Sequence, residues 1–225
     1  MKFDIDSRPS DSPLVEALWH THSVGGGSFI STAASHWEMV VTKQRGKFTM
    51  SVRGPETVAS PAPIPEDAEF FGIVFKHGEY MPSLPKQELV DYEIHLPESR
   101  KNSFQFQGAS REFPTFENAD TFVNRLVQDG LVTHDFIVDD VLRGQTRDLS
   151  LRSLQRRFLY VTGLTYKTIQ QIERARQALT LLRSGIPIPE TAYQAGYFDQ
   201  PHLTRSLKLF AGQTPAEIAK LTQFE

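Results

Sequence analysis

The C-terminal part of the chain contains an internal repeat with a period of 49 residues. Ser150 precedes Asp199 by this interval, and both residue types favour the N-cap position of a helix. Gly163 precedes Gly212 by the same interval, and glycine is typical of the position just after a helix. Four more pairs share the spacing: Leu154 and Leu203, Arg156 and Arg205, Phe158 and Leu207, Thr165 and Thr214. The repeat predicts two similar helices, each with a cap at its start and a glycine at its end.

Each repeat helix combines an apolar face with a polar one. Helical spacing predicts that Leu151, Leu154 and Phe158 face a core in the first copy, as do Leu203, Leu207 and Phe210 in the second. The polar faces carry Arg and Gln near their N-terminal halves, which suits the DNA major groove because Arg pairs with guanine and Gln with adenine. The candidate DNA-contacting residues are Arg152, Gln155 and Arg156 in the first copy, and Gln200, Pro201, His202 and Arg205 in the second.

A short helix before the second copy completes the pattern. The segment "IPETAYQAGYFDQ" provides Ala192, which is small enough for close helix contact, and Gly196 for a turn. Two helices joined in this way form a helix-turn-helix unit, whose second helix enters the major groove. One basic amphipathic helix alone would more simply be a solvated surface. The repeat and the turn glycine together favour DNA binding.

Charge divides the chain unevenly. Residues 1–142 have 12 Lys and Arg against 21 Asp and Glu, a balance of −9, whereas residues 143–225 have 12 against 6, a balance of +6. A basic C-terminal part predicts a polyanionic partner for that part alone. The chain has no cysteine, which excludes disulfides and thiolate metal sites and fits a cytoplasmic location. It also lacks an apolar run long enough to span a membrane.

The C-terminal motifs resemble the AraC/XylS family of bacterial transcriptional regulators. The matching stretches are "SLQRRF", "AGYFDQPHLTRSLK" and "GQTP", and the resemblance covers about residues 135–221. It implies two helix-turn-helix units joined by a linker helix from about Tyr166 to Ser184, with two recognition helices in successive major grooves. The first turn, "GQTRDLS", departs from the family pattern, with Asp148 near the place where glycine is usual.

The N-terminal part is predicted to be rich in β-strands. Short apolar runs such as "WEMVV", "KFTMSV" and "FFGIVF" alternate with turn residues. The stretch "FFGIVFKHGEYMPSLP" weakly resembles the cupin-like sensing domain of AraC-type regulators, which implies an effector site. Trp37, Phe71, Phe75 and Tyr80 are candidates for lining such a pocket, although core packing is the simpler interpretation of each. His20 and His22 form an H-x-H pair without the other ligands of a metal site, so no metal is predicted.

These features predict an α+β protein with three segments. Residues 1–112 form a β-rich, cupin-like sensor or partner domain, residues 113–132 a connecting helix, and residues 133–225 an all-α domain with two helix-turn-helix units. The predicted function is that of a cytoplasmic, sequence-specific transcriptional regulator, without catalytic residues or a cofactor. Its predicted partner is double-stranded DNA; a small-molecule effector, RNA polymerase and a second copy of the chain are further candidates. The alternative is a cupin-type enzyme fused to a DNA-binding domain.

Overall fold

The computed structural model of the protein describes residues 5–100, 102–145 and 149–222. Its first part consists mainly of β-strands. In chain order these are β1 (Ile5–Arg8), β2 (Val15–Ser23), β3 (Gly27–Ser31), β4 (Glu38–Gln44), β5 (Lys47–Arg53), β6 (Ser60–Ile64), β7 (Ala68–Phe75), β8 (Glu79–Tyr80), β9 (Glu93–Leu96), β10 (Ser103–Phe106), β11 (Ala109–Glu112) and β12 (Thr133–His134). A short 3-10 helix covers Lys86–Leu89.

The helices follow the strands with little mixing. They are α1 (Ala119–Gln128), α2 (Phe136–Leu142), α3 (Leu151–Thr162), α4 (Tyr166–Arg183), α5 (Ile188–Gln194), α6 (Gln200–Ala211) and α7 (Pro215–Thr222). Within the described residues, these seven helices confirm the predicted α+β class, with a β-rich part before a helical part. No helix in the described ranges is both long and apolar enough to cross a membrane.

An antiparallel sheet of six strands organises the β-rich part, with the order β1-β2-β7-β4-β5-β9 among the described residues. One face of this sheet packs on a core that includes Leu18, Met39, Val52 and Ile73. Trp37, Phe71 and Phe75 belong to the same core. The core also contains Phe122, Val123 and Leu126 of α1. Core packing is therefore the role of these aromatic side chains.

The described residues group into two compact units whose boundaries interleave along the chain. The first unit comprises residues up to 27, 36–55 and 63–164, so it contains the large sheet together with α1, α2 and α3. The second comprises residues 28–35, 56–62 and 165 onward, so two segments of the β-rich part group with α4 to α7. The predicted division at residues 112 and 132 stays a prediction.

Candidate nucleic-acid interface

The two repeat helices have the same length and the same kinds of caps. Ser150 accepts a hydrogen bond from the backbone N–H of Ser153 at the start of α3, and Asp199 accepts one from His202 at the start of α6. Both helices have 12 residues and end at a left-handed glycine, Gly163 (φ 76°) or Gly212 (φ 70°). Glycine suits both positions because a side chain strains this backbone conformation.

The residues just after these glycines begin the next helices. Thr165 caps α4, whose first residue is Tyr166. Thr214 and Glu217 form a reciprocal capping box at the start of α7, where the Thr214 N–H donates to Glu217 Oε2 over 2.7 Å. All the pairs of residues that define the 49-residue spacing thus belong to matching parts of the two copies.

The second helix-turn-helix unit consists of α5 and α6. Ala192 is buried, and the backbone N–H of Tyr197 donates to its carbonyl over 2.8 Å, which closes the turn. Gly196 occupies the turn with φ 69°. The predicted core residues of α6, Leu203, Leu207 and Phe210, are buried. The turn geometry and the apolar face of this unit therefore agree with the sequence prediction.

The polar face of α6 meets solvent at its N-terminal turns. Gln200, Pro201 and Arg205 are exposed, and His202 is half-buried against the ring of Tyr197 at a centroid distance of 5.1 Å. Pro201 lies in the first turn, where its missing N–H has no intrahelical role. The exposed side chains include a guanidinium and an amide, whose N–H groups can donate hydrogen bonds to base edges in the major groove.

The first unit consists of α2 and α3, and its beginning differs from the prediction. The predicted all-α domain begins at residue 133, but Thr133 and His134 form β12 opposite β8, and α2 begins at Phe136. Asp135 sets this boundary because its side chain accepts hydrogen bonds from the backbone N–H groups of Ile137 and Val138. The turn between α2 and α3 includes residues 146–148, among them Asp148, which lie outside the described residues.

The polar face of α3 is exposed at Arg152, Gln155 and Arg156. Its apolar face agrees only in part with the prediction: Phe158 is fully buried and Leu154 is half-buried, but Leu151 is 79% exposed. Leu151 is the first residue after the N-cap, so it lies at the end of the helix, away from the packed turns around Phe158. The neighbouring Arg157 pairs with Asp135, with 2.7 Å between Arg157 Nε and Asp135 Oδ2. Arg157 therefore has a structural role beside the exposed cations.

Side chains from the β-rich part pack on the C-terminal half of α3. Tyr160 meets Tyr80 edge to face at 5.6 Å between ring centroids, and Lys86 Nζ lies 4.7 Å from the Tyr160 centroid. Burial lowers the pKa of Lys86 and raises the pKa of Tyr80. The cation–π and aromatic contacts leave the N-terminal turns of α3 open.

Backbone groups from two N-terminal segments bind the C-terminal end of α6. The N–H of Ala33 donates to the carbonyl of Phe210 over 2.7 Å, and the N–H of Ala59 donates to that of Leu209 over 2.8 Å. The last four carbonyls of a helix have no partner within it, so these bonds satisfy two of them. The two segments are joined at Ala34 and Glu56, whose backbones exchange a pair of hydrogen bonds.

The histidines of the H-x-H pair have separate partners. His22 is 3.3 Å from Asp67 Oδ1, and the ring of His20 is 6.1 Å from that of Phe116.

The aromatic candidates for a pocket leave little space between them. Trp37, Phe75 and Tyr80 surround one narrow gap with Glu79, and this gap has no room for a water molecule. Phe71, the fourth aromatic candidate, is buried in the core. Within the described residues, neither Trp37 Nε1 nor Glu79 Oε2, both buried, has a hydrogen-bond partner.

The linker helix α4 contributes polar residues that the sequence analysis does not select. Lys167, Gln170, Gln171 and Arg174 recur at helical spacing and line a cleft of about 550 Å³ together with His202 and Arg205 of α6. Their spacing of three and four residues is the sequence signal for a shared helix face. Without the position of α6 this stripe is indistinguishable from an ordinary solvated surface.

Two capped helices with exposed Arg and Gln, one of them in a complete helix-turn-helix unit, define a DNA-binding domain of the helix-turn-helix class. Residues 146–220 match the family model described as a helix-turn-helix domain, HTH_18. The matched domain is of the AraC type, which confirms the predicted resemblance to the AraC/XylS family in this part of the chain.

Two solved structures are similar over most of the chain. One is the apo form of a ToxT variant from Vibrio cholerae strain SCE256, with 9% identity, a TM-score of 0.45 and coverage of 96% of this chain and 100% of that one. The other is ToxT from Vibrio cholerae, with 9% identity, a TM-score of 0.42 and coverage of 96% and 98%. Comparison with curated proteins gives no match.

Proposed function

We propose that the protein is a sequence-specific transcriptional regulator that reads DNA with α3 and α6. The observation that carries the proposal is the matched pair of capped helices within residues 146–220, each with Arg exposed near its N-terminal half. The first helix contributes Arg152, Gln155 and Arg156. The second contributes Gln200, Pro201, His202 and Arg205. The basic balance of residues 143–225 supplies the attraction to phosphates that such binding needs.

The test begins with selection of sequences that the full chain binds from random DNA. Arg156→Ala and Arg205→Ala are then compared on the selected site and on its single-base variants. We expect each change to relax the preference at a different position, with a loss of discrimination of about 1–3 kcal/mol. Arg183→Ala removes an exposed cation from the far end of α4 and serves as the matched control. Equal weakening on every variant by both changes would contradict base reading, because phosphate contacts carry no sequence information.

We further propose that the N-terminal part controls DNA binding through an effector or a partner. The supporting contacts are Tyr80 and Lys86 on α3, and Ala33 and Ala59 at the end of α6. A ligand that rearranges these segments changes how each helix is held. The closed gap at Trp37 and Glu79 would have to open before it held a molecule. RNA polymerase, a second copy of the chain and a cytoplasmic location stay predictions of the sequence.

The test of control combines two measurements on the full chain. Compounds are screened for a rise in Tm, because a ligand that binds only the folded state stabilises it. Each stabilising compound is then added to the complex with the selected DNA. We expect at least one compound to change operator affinity and to be recovered unchanged. Stabilising compounds that all leave the affinity unaltered would contradict effector control, and turnover of a compound would favour the enzyme alternative.

A further inference from the structure

Positively charged side chains line the cleft between α4 and α6. Lys167 and Arg174 of α4 face it together with Arg205 of α6, so three permanent positive charges share one concave surface. The amides of Gln170 and Gln171 and the ring of His202 add further hydrogen-bonding groups. Among the described residues that line the cleft, no carboxylate is present, and neither Lys167 nor Arg205 forms an ion pair within the described ranges. The cleft therefore suits an anionic occupant.

Tyr197 organises the side chains of this cleft. Its hydroxyl is 2.8 Å from Ser206 Oγ, and the Arg174 guanidinium lies 5.7 Å from its ring centroid. His202 meets the same ring edge-on. Because Tyr197 is buried within the α5–α6 turn, it holds side chains of α4 and α6 in one arrangement. Such fixed donors lose less conformational entropy on binding than freely moving ones.

The position of the cleft indicates which anion it holds. His202 and Arg205 belong both to the cleft and to the polar face of α6 that carries the proposed base contacts. A recognition helix in the major groove is flanked by the sugar–phosphate backbones that border that groove. Positively charged side chains of the cleft, directly beside the recognition face of α6, would therefore lie next to one of these sugar–phosphate backbones.

We propose that the cleft binds the phosphodiester backbone of DNA, with Lys167 and Arg174 of the linker helix as phosphate contacts and Gln170 and Gln171 as supporting donors. This inference rests on the proposed function, since α6 must enter the major groove. It assigns α4 a direct part in binding: the linker helix fixes the register of α6 on the duplex, and α6 reads the bases.

The test is the salt dependence of binding by the full chain to its selected DNA. Lys167→Gln combined with Arg174→Gln removes two cleft charges and keeps polar stems. Arg183→Gln combined with Lys220→Gln removes two exposed charges of the same unit outside the cleft. We expect the cleft variant to reduce the slope of log K against log salt by about 2, since each lost phosphate contact lowers it by about 1. The control variant should keep the wild-type slope within about 0.5.

Base preference separates this inference from the proposed function. The cleft variant should bind all single-base variants of the site more weakly by a common factor and keep the same order of preference. A slope like that of the wild type would overturn the inference and leave the cleft to an acidic protein segment or a small anion. A changed order of preference would also overturn it, because these residues would then read bases. Absence of selective binding by the wild type would instead refute the proposed function itself. Thermal unfolding of each variant verifies that the fold is intact.

Discussion

Helices α3 and α6 are matched in length and caps, yet they are held by different kinds of contact. Side chains hold α3: Arg157 pairs with Asp135, and Tyr160 packs against Tyr80 and Lys86. Backbone groups hold the end of α6, through N–H donors from two N-terminal segments. Side-chain contacts depend on residue identity and on protonation, whereas backbone hydrogen bonds persist through most substitutions. The two copies of one repeat should therefore respond differently to mutation and to pH.

The largest expected effect on stability is that of replacing Gly163, the glycine at the end of α3. A Cβ at Gly163 would lie 2.9 Å from the carbonyl oxygen of Lys86 and 2.8 Å from Val90 Cγ2. We expect Gly163→Ala to lower the free energy of unfolding by about 3 to 4 kcal/mol, from strain at positive φ and from overpacking against a backbone. Urea denaturation of the full chain measures this loss.

The matched control for this substitution is Gly185→Ala. Gly185 also has a positive φ, 80°, but no described atom would lie within 4 Å of its Cβ. Its substitution should cost only the backbone strain, about 1 kcal/mol. Equal losses at Gly163 and Gly185 would show that the packing around the end of α3 yields easily.

The second effect concerns pH and the unit that contains α3. Burial raises the pKa of Glu79 from 4.5 to about 7, although the hydrogen bond with His134 and the charge of Lys76 act in the opposite direction; Asp139 adds to the rise. The folded state thus holds a proton on Glu79 more tightly than the unfolded chain does. The associated stability is fully present below pH 4.5 and is lost as the pH rises through about 7. We expect a loss on the order of 3 kcal/mol over this window.

Glu79→Gln isolates this contribution. The amide is neutral at every pH in the window, so the unfolding free energy of the variant should vary less between pH 5 and pH 8 than that of the wild type. Chemical denaturation at both pH values gives the comparison. A pH dependence identical in the two proteins would assign the effect to other groups.

The helix boundaries could largely be predicted because their signals are local. Ser150, Asp199, Gly163 and Gly212 mark their ends through backbone rules that act within a few residues. The exposed arginines of α3 and α6 follow from the same periodicity. Their contribution to DNA binding stays a prediction. Leu151 shows the limit of periodicity, since its spacing is right but its place in the first turn leaves it exposed.

Long-range contacts could not be predicted in this way. The bonds from Ala33 to Phe210 and from Ala59 to Leu209 join residues that lie 177 and 150 positions apart in the chain. Backbone donors leave no signature in residue type, so nothing in the sequence indicates this pairing. The pairing of Arg157 with Asp135 could not be predicted either. The role of Asp135 as the N-cap of α2 already explains an aspartate at this position, so its residue type does not indicate a second partner.

The third effect tests the contacts at the end of α6. A Cβ at Gly212 would lie 2.7 Å from Ile30 Cγ2 and 3.4 Å from Ala59 Cβ. The side chain of Ile30 is 45% exposed and can move, whereas the obstacle at Gly163 includes a backbone carbonyl. We therefore expect Gly212→Ala to cost about 2 kcal/mol, between the losses at Gly163 and Gly185. A loss at Gly212 as large as that at Gly163 would mean that the segments at α6 are held as rigidly as those at α3.

The smallest effect distinguishes the two N-caps, Ser150 and Asp199. Replacing either with Ala removes a side-chain acceptor, at a typical loss of about 1 kcal/mol in stability. Replacement of Asp199 should cost more stability, because its bond to the His202 N–H is 2.7 Å against 3.2 Å for Ser150 and Ser153, and because its charge also interacts favourably with the helix dipole.

The same Asp199 substitution should strengthen DNA binding although it lowers stability. Asp199→Ala removes a negative charge from the first turns of a helix proposed to approach phosphates, so non-specific DNA binding should strengthen at low salt. Ser150→Ala leaves the charge unchanged and provides the control. Weaker non-specific binding by Asp199→Ala, at a temperature where both variants are folded, would indicate that the start of α6 lies away from the duplex.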